Sequence, residues 1–437
     1  MFLIRYLRER IIQTKVTLEA DFYKTISNEL VLENQLSMFN AMWQNIQDNV
    51  PLYSSLVQEG KEPKKITTWD EFVKLPIISR NMATQNINSY TDSSLKPSGY
   101  GTTGGSTGNP LRFPKWSSEA KFCEPSIWYV RGFYGVKRSD KMFRIWGHSH
   151  TLGKGLQRIK NKLIFDIGLP LVGFKRFSAY DLSDEKLVRA GDEILKFKPS
   201  YIIGYSKALF MLARANEYRS SEFHALGLKV VLGAAEGFDK DEDRAFVAEV
   251  FGCPVGLQYA SMEANYIAQT HPDGGYRVLW KNNLIECVDD EGNPAATGRI
   301  LVTSLYPRAF PLIRYEMGDI IANCKKDGIS VYEFENVKGR DNDFLMLDDG
   351  TPIHSEGITH AIKLSNQITA YQIRYTEDGV YTIYVTSNEK LLNSEFDKIR
   401  RRLKQVDTRL ASLEIVQAER LKQTIAGKTK WLLSENE

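Results

Sequence analysis

The sequence predicts an α/β protein: a parallel sheet, a smaller β-rich subdomain after it, and a small α+β domain at the C-terminal end. Three observations predict it. Short apolar runs alternate with helical segments between Lys141 and Phe251. From about residue 276 the pattern changes to closely spaced strands and turns, as at Asp289-Asp-Glu-Gly-Asn-Pro294. Past Gly339-Arg340 the order becomes strand, strand, charged helix, strand, so the domain boundary is placed near residue 340.

Residues 1–85 read as helical, with apolar side chains at helical spacing through Leu30, Leu36, Phe39, Met42, Trp43 and Ile46. Pro51 and Pro76 punctuate this region, and Trp69-Asp-Glu-Phe is a short helix stopped by proline. Leu111-Arg-Phe predicts a strand and Ser117–Tyr134 a helix. The strands Lys141–Gly147, Tyr201–Gly204 and Leu228–Gly233 then alternate with helices at Leu187–Phe197, Ser206–Tyr218 and Lys240–Phe251. In the last domain, strands are expected near 370–376, 380–386 and 412–418, with a helix near 393–405.

Composition bounds the function. The 437 residues leave room for two or three domains, on a prior of roughly 100–200 residues each. A net charge of +3 is too small to suggest a nucleic-acid partner. Cys123, Cys253, Cys287 and Cys324 are widely spaced with no CxxC pair, which favours free thiols in a reducing compartment over disulfides or a zinc site. Residues Met1–Ile12 lack the apolar run of a signal peptide, and no stretch approaches the ~18 apolar residues of a membrane span. Their apolar and basic spacing suits a helix packed on its own domain or resting on a membrane surface. A cytoplasmic protein without a transmembrane segment is expected, and a homodimer is compatible with it.

The chemistry centres on Thr102-Thr-Gly-Gly-Ser-Thr-Gly-Asn-Pro110, three glycines and four hydroxyls without a charge. Such a segment cannot bury itself; it is either a surface loop or a concave cradle of N–H groups and hydroxyls for an anion. Gly99-Tyr-Gly-Thr-Thr-Gly104 matches the dinucleotide pattern, but a polar stretch precedes it and an extended segment follows, so the context fails. A Walker loop is excluded because Asn109, not Lys-Ser/Thr, follows Gly108.

Three further clusters supply partners for a phosphate. Gly233-Ala-Ala-Glu236 closes a buried strand, where open α/β sheets place ligands. Gln258-Tyr259-Ala-Ser-Met-Glu263 follows the next extended segment; a tyrosine can stack on a purine and a carboxylate can hold Mg²⁺. Arg314-Tyr-Glu-Met-Gly-Asp319 offers a carboxylate on a turn, suited to ribose hydroxyls. Taken singly, each is more often structural.

Together and in this order they resemble the adenylate-forming superfamily of acyl-CoA synthetases and adenylation domains. The resemblance is greatest to the phenylacetate–CoA ligase branch, including CapK-type proteins associated with capsular polysaccharide synthesis, and covers nearly the whole chain. It implies an AMP-binding domain over 1–340 and a mobile lid over 341–437. It also implies a phosphate loop at Thr103, Gly105, Ser106, Thr107 and Gly108, an adenine segment at Ala235 and Glu236 with Tyr259 against the base, and Asp319 on the ribose. Glu263 would hold Mg²⁺, Arg340 would mark the lid hinge, and Lys428 would enter for adenylation. His150, with Gly204 and Tyr205, would lie near the acyl pocket.

The implied activity is an ATP- and Mg²⁺-dependent, AMP-forming ligase that activates a small carboxylic acid and passes it to a thiol such as coenzyme A, the default acceptor. A sugar amine is the main alternative acceptor. A non-catalytic nucleotide-binding scaffold and a peripheral membrane assembly factor are the other classes. The carboxylate is already a nucleophile, so no general base is needed; cations must offset the charge gathered around the α-phosphate. Departures from the family pattern are Gly104 for serine, Asn109 for the lysine common after the loop's last glycine, and Asn342 for the hinge aspartate.

Overall fold

The structure, a computed structural model, describes residues 17, 20–21, 28–103, 111–147, 160–161, 163–179, 182–235, 237–238, 240–338, 344–347, 349, 351–363, 365, 367–376, 379–422 and 431–435. It divides into two compact units. One comprises Met1–Thr103, Leu111–Asp140 and Gly256–Gly339; the other comprises Gly104–Pro110, Lys141–Val255 and Arg340–Glu437. Among the described residues, no helix is long and apolar enough to cross a membrane.

In the first unit, helix Asn28–Asn49 turns directly into helix Pro51–Gln58. Pro51 opens the second helix, where its missing N–H costs nothing. Phe39, Trp43, Ile46 and Tyr53 project from these helices into one core with Phe72, Leu75, Leu284, Leu305 and Ile313. The short helix Trp69–Phe72 owes its start to a capping box between Thr68 and Glu71. Farther on, strands Gly99–Thr102 and Arg112–Lys115 form an antiparallel hairpin. Helix Glu119–Arg131 follows and continues as a 3₁₀ turn to Tyr134.

Two sets of antiparallel strands complete this unit. Strands Asn283–Val288, Gly298–Ser304, Tyr315–Ala322 and Asn336–Lys338 are neighbours in that order. A second set runs Val255–Ser261, Asn265–Thr270, Tyr276–Val278, Ser330–Phe334 and Lys325–Asp327. Tight turns make these strands short; at Asp289–Asn293 a side-chain oxygen of Asp289 accepts the N–H of Asn293 at 2.7 Å.

The second unit holds the parallel sheet. Its strands lie in the order Phe174–Ser178, Met142–Trp146, Tyr201–Tyr205, Val230–Ala234, and helices Asp184–Phe197, Ser206–Ala215 and Asp241–Phe251 alternate with them in the chain. Tyr201–Tyr205 and Val230–Ala234 are buried throughout, as continuous apolar runs require. Phe174–Ser178 was not expected: its sequence Phe-Lys-Arg-Phe-Ser mixes charge with aromatics and it pairs only with Met142–Trp146 among the described strands.

Helices Asp184–Phe197 and Ser206–Ala215 meet at Gly191. A methyl group there would stand 2.1 Å from Asn216 Oδ1, while the Asn216 amide donates to the Leu187 and Leu212 carbonyls at 3.0 Å each. Gly191→Ala should therefore cost about 1–3 kcal/mol in urea unfolding, by displacing a side chain that ties the two helices together.

The C-terminal residues of this unit have their own core, in which Leu345, Ile358, Ile373, Ile383, Ile399, Leu403 and Trp431 meet. A mixed sheet ordered Glu414–Gln417, Tyr381–Ser387, Ile368–Tyr375, Leu432–Ser434 carries it, with helices Ser355–Lys363 and Asn393–Val406. The expected strands and helix of this module are all present. The hairpin Phe344–Met346/Pro352–His354 and helix Ser355–Lys363 are additions.

Candidate active site

The residues expected to hold nucleotide and metal fall in both units. In the first, strand Tyr315–Ala322 loses register against its neighbour: Leu301 faces Glu316, yet Arg299 faces Ile320. The extra residues form a bulge at Met317–Asp319 in which Gly318 has φ of 82°. The turn expected at Asp319 is thus a bulge inside a strand; a left-handed glycine serves either, and only the pairing of the flanking strands decides. The bulge leaves the Asp319 side chain half-buried.

Gln258–Ser261 was expected after an extended segment and instead lies within strand Val255–Ser261, with Tyr259 opposite Ala268. The Tyr259 hydroxyl donates to Asp319 Oδ2 at 2.8 Å, and its ring stands edge-on to Phe334 at 6.1 Å. Burial, then the Asp319 charge, pushes this phenol well above its ordinary range. It therefore remains a donor at every working pH, and it orients the carboxylate.

Glu263 sits at the turn between that strand and Asn265–Thr270, and it is buried. Arg308, 2% exposed, donates through Nη2 to the Glu263 backbone carbonyl and lies 3.4 Å from Glu119 Oε2. Glu119 in turn accepts the N–H groups of Trp116 and Ala309 at 3.0 and 3.1 Å. The hairpin strand Arg112–Lys115 adds the Lys115 ammonium, which feels Arg308, Glu119 and Glu263. Burial, chiefly, lowers its pKa. Neither Lys115, Glu119 nor Arg308 was singled out from sequence. An isolated charge in a sequence reads as surface, because its partners lie up to 190 residues away.

The donor set fits a magnesium ion. Mg²⁺ takes one or two carboxylates and draws its remaining ligands from phosphate and water. Among the described residues, no hydrogen-bond donor is placed on the Glu263 carboxylate, so its oxygens are available.

Thr103 follows strand Gly99–Thr102. Its hydroxyl accepts from the Leu111 N–H at 3.0 Å and from the Arg80 guanidinium, which closes the hairpin just before the glycine loop. In the second unit, Ala235 follows the buried strand Val230–Ala234 with φ of 70°, a conformation unfavourable to any residue with a Cβ. Open α/β sheets place their ligands at the carboxyl ends of such strands. Gly204 and Tyr205 lie on the buried neighbouring strand. A Cβ on Gly204 would press on Leu209 and Ile145, and Tyr205 packs on Trp146 with ring centroids 4.2 Å apart. Gly105, Ser106, Thr107, Gly108, His150, Glu236, Arg340 and Lys428 lie outside the described residues, as do Gly104, Asn109, Asn342 and Met1–Ile12.

The fold is that of the adenylate-forming acyl-CoA ligases. A structure of 2-hydroxyisobutyryl-CoA ligase in complex with 2-HIB-AMP and CoA, in the thioesterification state, aligns with a TM-score of 0.57 at 15% identity. The alignment covers 92% of this chain and 90% of that one. An open conformation of the same ligase, with the same ligands, gives 0.55 at 14% identity over equal shares. In sequence, the chain is similar to protein CapK of Staphylococcus aureus, 23% identical over 383 residues, or 86% of this chain and 82% of that protein. No family model matches the chain.

Proposed function

We propose that the protein is an AMP-forming ligase that activates a carboxylic acid with ATP. The observation that carries this reading is the Tyr259–Asp319 hydrogen bond at a strand bulge, in a fold whose solved examples hold an acyl-AMP. Asp319 binds the ribose hydroxyls and Tyr259 orients it. Ala235 and Glu236 border the base. Thr103, Gly105, Ser106, Thr107 and Gly108 bind the β- and γ-phosphates. Glu263 would hold Mg²⁺, which offsets phosphate charge when bound.

The reaction balances without a protein base. A carboxylate oxygen bonds to the α-phosphorus, the bond to the β-phosphate oxygen breaks, and pyrophosphate leaves. An acceptor thiol or amine then attacks the acyl carbon, AMP departs, and the acceptor's proton goes to solvent. Lys428 supplies the ammonium that the α-phosphate needs in the first step, and Arg340 marks where the lid over 341–437 turns. Coenzyme A is the first acceptor, supported by the ligands of the solved ligase. A sugar amine is the second, supported by the likeness to protein CapK. The four free cysteines agree with work in a reducing cytoplasm.

ATP–pyrophosphate exchange over a panel of carboxylic acids tests the first half-reaction. At least one acid should drive exchange, and Lys428→Ala should slow it about 100-fold, as the loss of one charge-stabilising donor does. Nucleotide binding with no exchange for any acid would leave a scaffold instead. Product analysis with coenzyme A and amino sugars then separates the acceptors.

A further inference from the structure

The hairpin that carries the glycine loop has a cation that the loop lacks. Thr102–Pro110 contains no charge. Arg112 lies on the hairpin's other face, with its guanidinium 4.4 Å from the Tyr100 ring. Lys115 shares its face with Phe113 and with the glycines opposite them, Gly99 facing Lys115 and Gly101 facing Phe113. A Cβ on Gly101 would stand 2.8 Å from Lys115 Cε. The lysine stem therefore leans over Gly101, along the strand toward Thr103, where the loop begins. Its Nζ lies 5.5 Å from the Phe113 centroid.

The ammonium has no ion-pair partner among the described residues. Glu119 is already occupied by two backbone N–H groups and by Arg308. Glu263 is the other carboxylate that Lys115 feels, and its backbone is pinned by Arg308. A half-buried cation left without a close anion is costly, and the cost falls once an anion arrives. Arg308 adds to this balance: its Nε and Nη1 are buried without a hydrogen-bond partner. The cluster thus carries more donor capacity than its own carboxylates use.

We infer that Lys115 is a phosphate-binding cation whose ammonium, laid over Gly101 beside Glu263, contacts the β- or γ-phosphate of ATP. The inference rests on the adenylation reading and goes beyond it, because it separates a residue that senses the departing pyrophosphate from those that hold the nucleoside. Lys115 should count toward ATP and toward pyrophosphate, and should be indifferent to AMP.

Titration calorimetry with α,β-methylene-ATP plus Mg²⁺, and separately with AMP, tests this on the full chain. Lys115→Met should weaken the triphosphate analogue about tenfold or more and leave AMP within about twofold, the range of one lost charged hydrogen bond. Lys115→Gln, which keeps a polar group in the half-buried position, guards against misfolding of the first variant and should show the same selectivity. An equal effect on both nucleotides, or none on either, in a variant that melts like the wild type would overturn the assignment. Wild-type protein that bound neither nucleotide would remove the adenylation reading itself, and the assignment with it.

Discussion

Arg314→Met should lower the unfolding free energy by about 3–5 kcal/mol, the usual cost of leaving one member of a buried ion pair alone. Arg314 and Glu286 are 4% and 3% exposed. The guanidinium meets the carboxylate through Nε at 3.2 Å and Nη2 at 3.0 Å. Its Nη1 donates to the carbonyls of Val73 and Leu75, the first by a short bond and the second at 2.9 Å. One side chain therefore fastens the helical N-terminal segment to the strand that carries Asp319. The backbone is committed too: φ at Arg314 is 45°, its N–H donates to Thr303 Oγ1 at 2.8 Å, and its carbonyl accepts from Ile78 at 3.1 Å.

The pH dependence of that loss has a definite sign. Burial raises the Glu286 pKa, and Arg314 pulls it back down. A carboxyl with a folded pKa above its unfolded value binds its proton more tightly in the folded state. Its contribution is therefore most favourable at low pH and is lost as pH rises through the folded pKa. Without Arg314 the folded pKa rises further, so the penalty of Arg314→Met should be largest above neutrality and shrink in acid. Urea unfolding at several pH values checks both magnitude and slope. Adding Glu286→Leu should recover only part of the loss, since the Val73 and Leu75 carbonyls still lack their donor. A loss below about 1 kcal/mol at neutral pH would show that the pair is not an anchor.

What the sequence made legible follows from where the determining forces act. Tyr201–Tyr205 and Val230–Ala234 were readable because a strand buried on both faces must be apolar throughout. Glu263, Tyr259 and Asp319 were readable as residue types in order, and the hydrogen bond between the last two brings together positions 60 residues apart. The bulge at Gly318 was not readable, because register belongs to a pair of strands rather than to either sequence alone. In the sequence, Arg314 is visible only as the first residue of a motif. Its role needs Glu286, Val73 and Leu75, which no local pattern connects to it. Lys115 and Arg308 were missed for the same reason.

Asp319→Ala should raise the dissociation constant for AMP about 1,000-fold while leaving the protein folded. A ribose offers two vicinal hydroxyls, and a carboxylate can accept from both. Two charged hydrogen bonds at about 1.5–3 kcal/mol each give a loss of roughly 3–6 kcal/mol, and the middle of that range is about three decades of affinity. The stability cost should stay within about 1–3 kcal/mol, that of leaving the Tyr259 hydroxyl without its acceptor, because the Asp319 side chain itself sits half-buried on a bulge rather than within a core. Tyr259→Phe removes only the 2.8 Å bond that orients the carboxylate, so its effect should be smaller, about three- to tenfold. It should appear in KM for ATP more than in kcat, because a positioning bond on the ribose is present in ground and transition states alike. The phenol remains protonated throughout the working range, so this loss should not vary with pH. Calorimetric AMP affinity in Asp319→Ala within about threefold of wild type would mean that the bulge is structural and the ribose is held elsewhere.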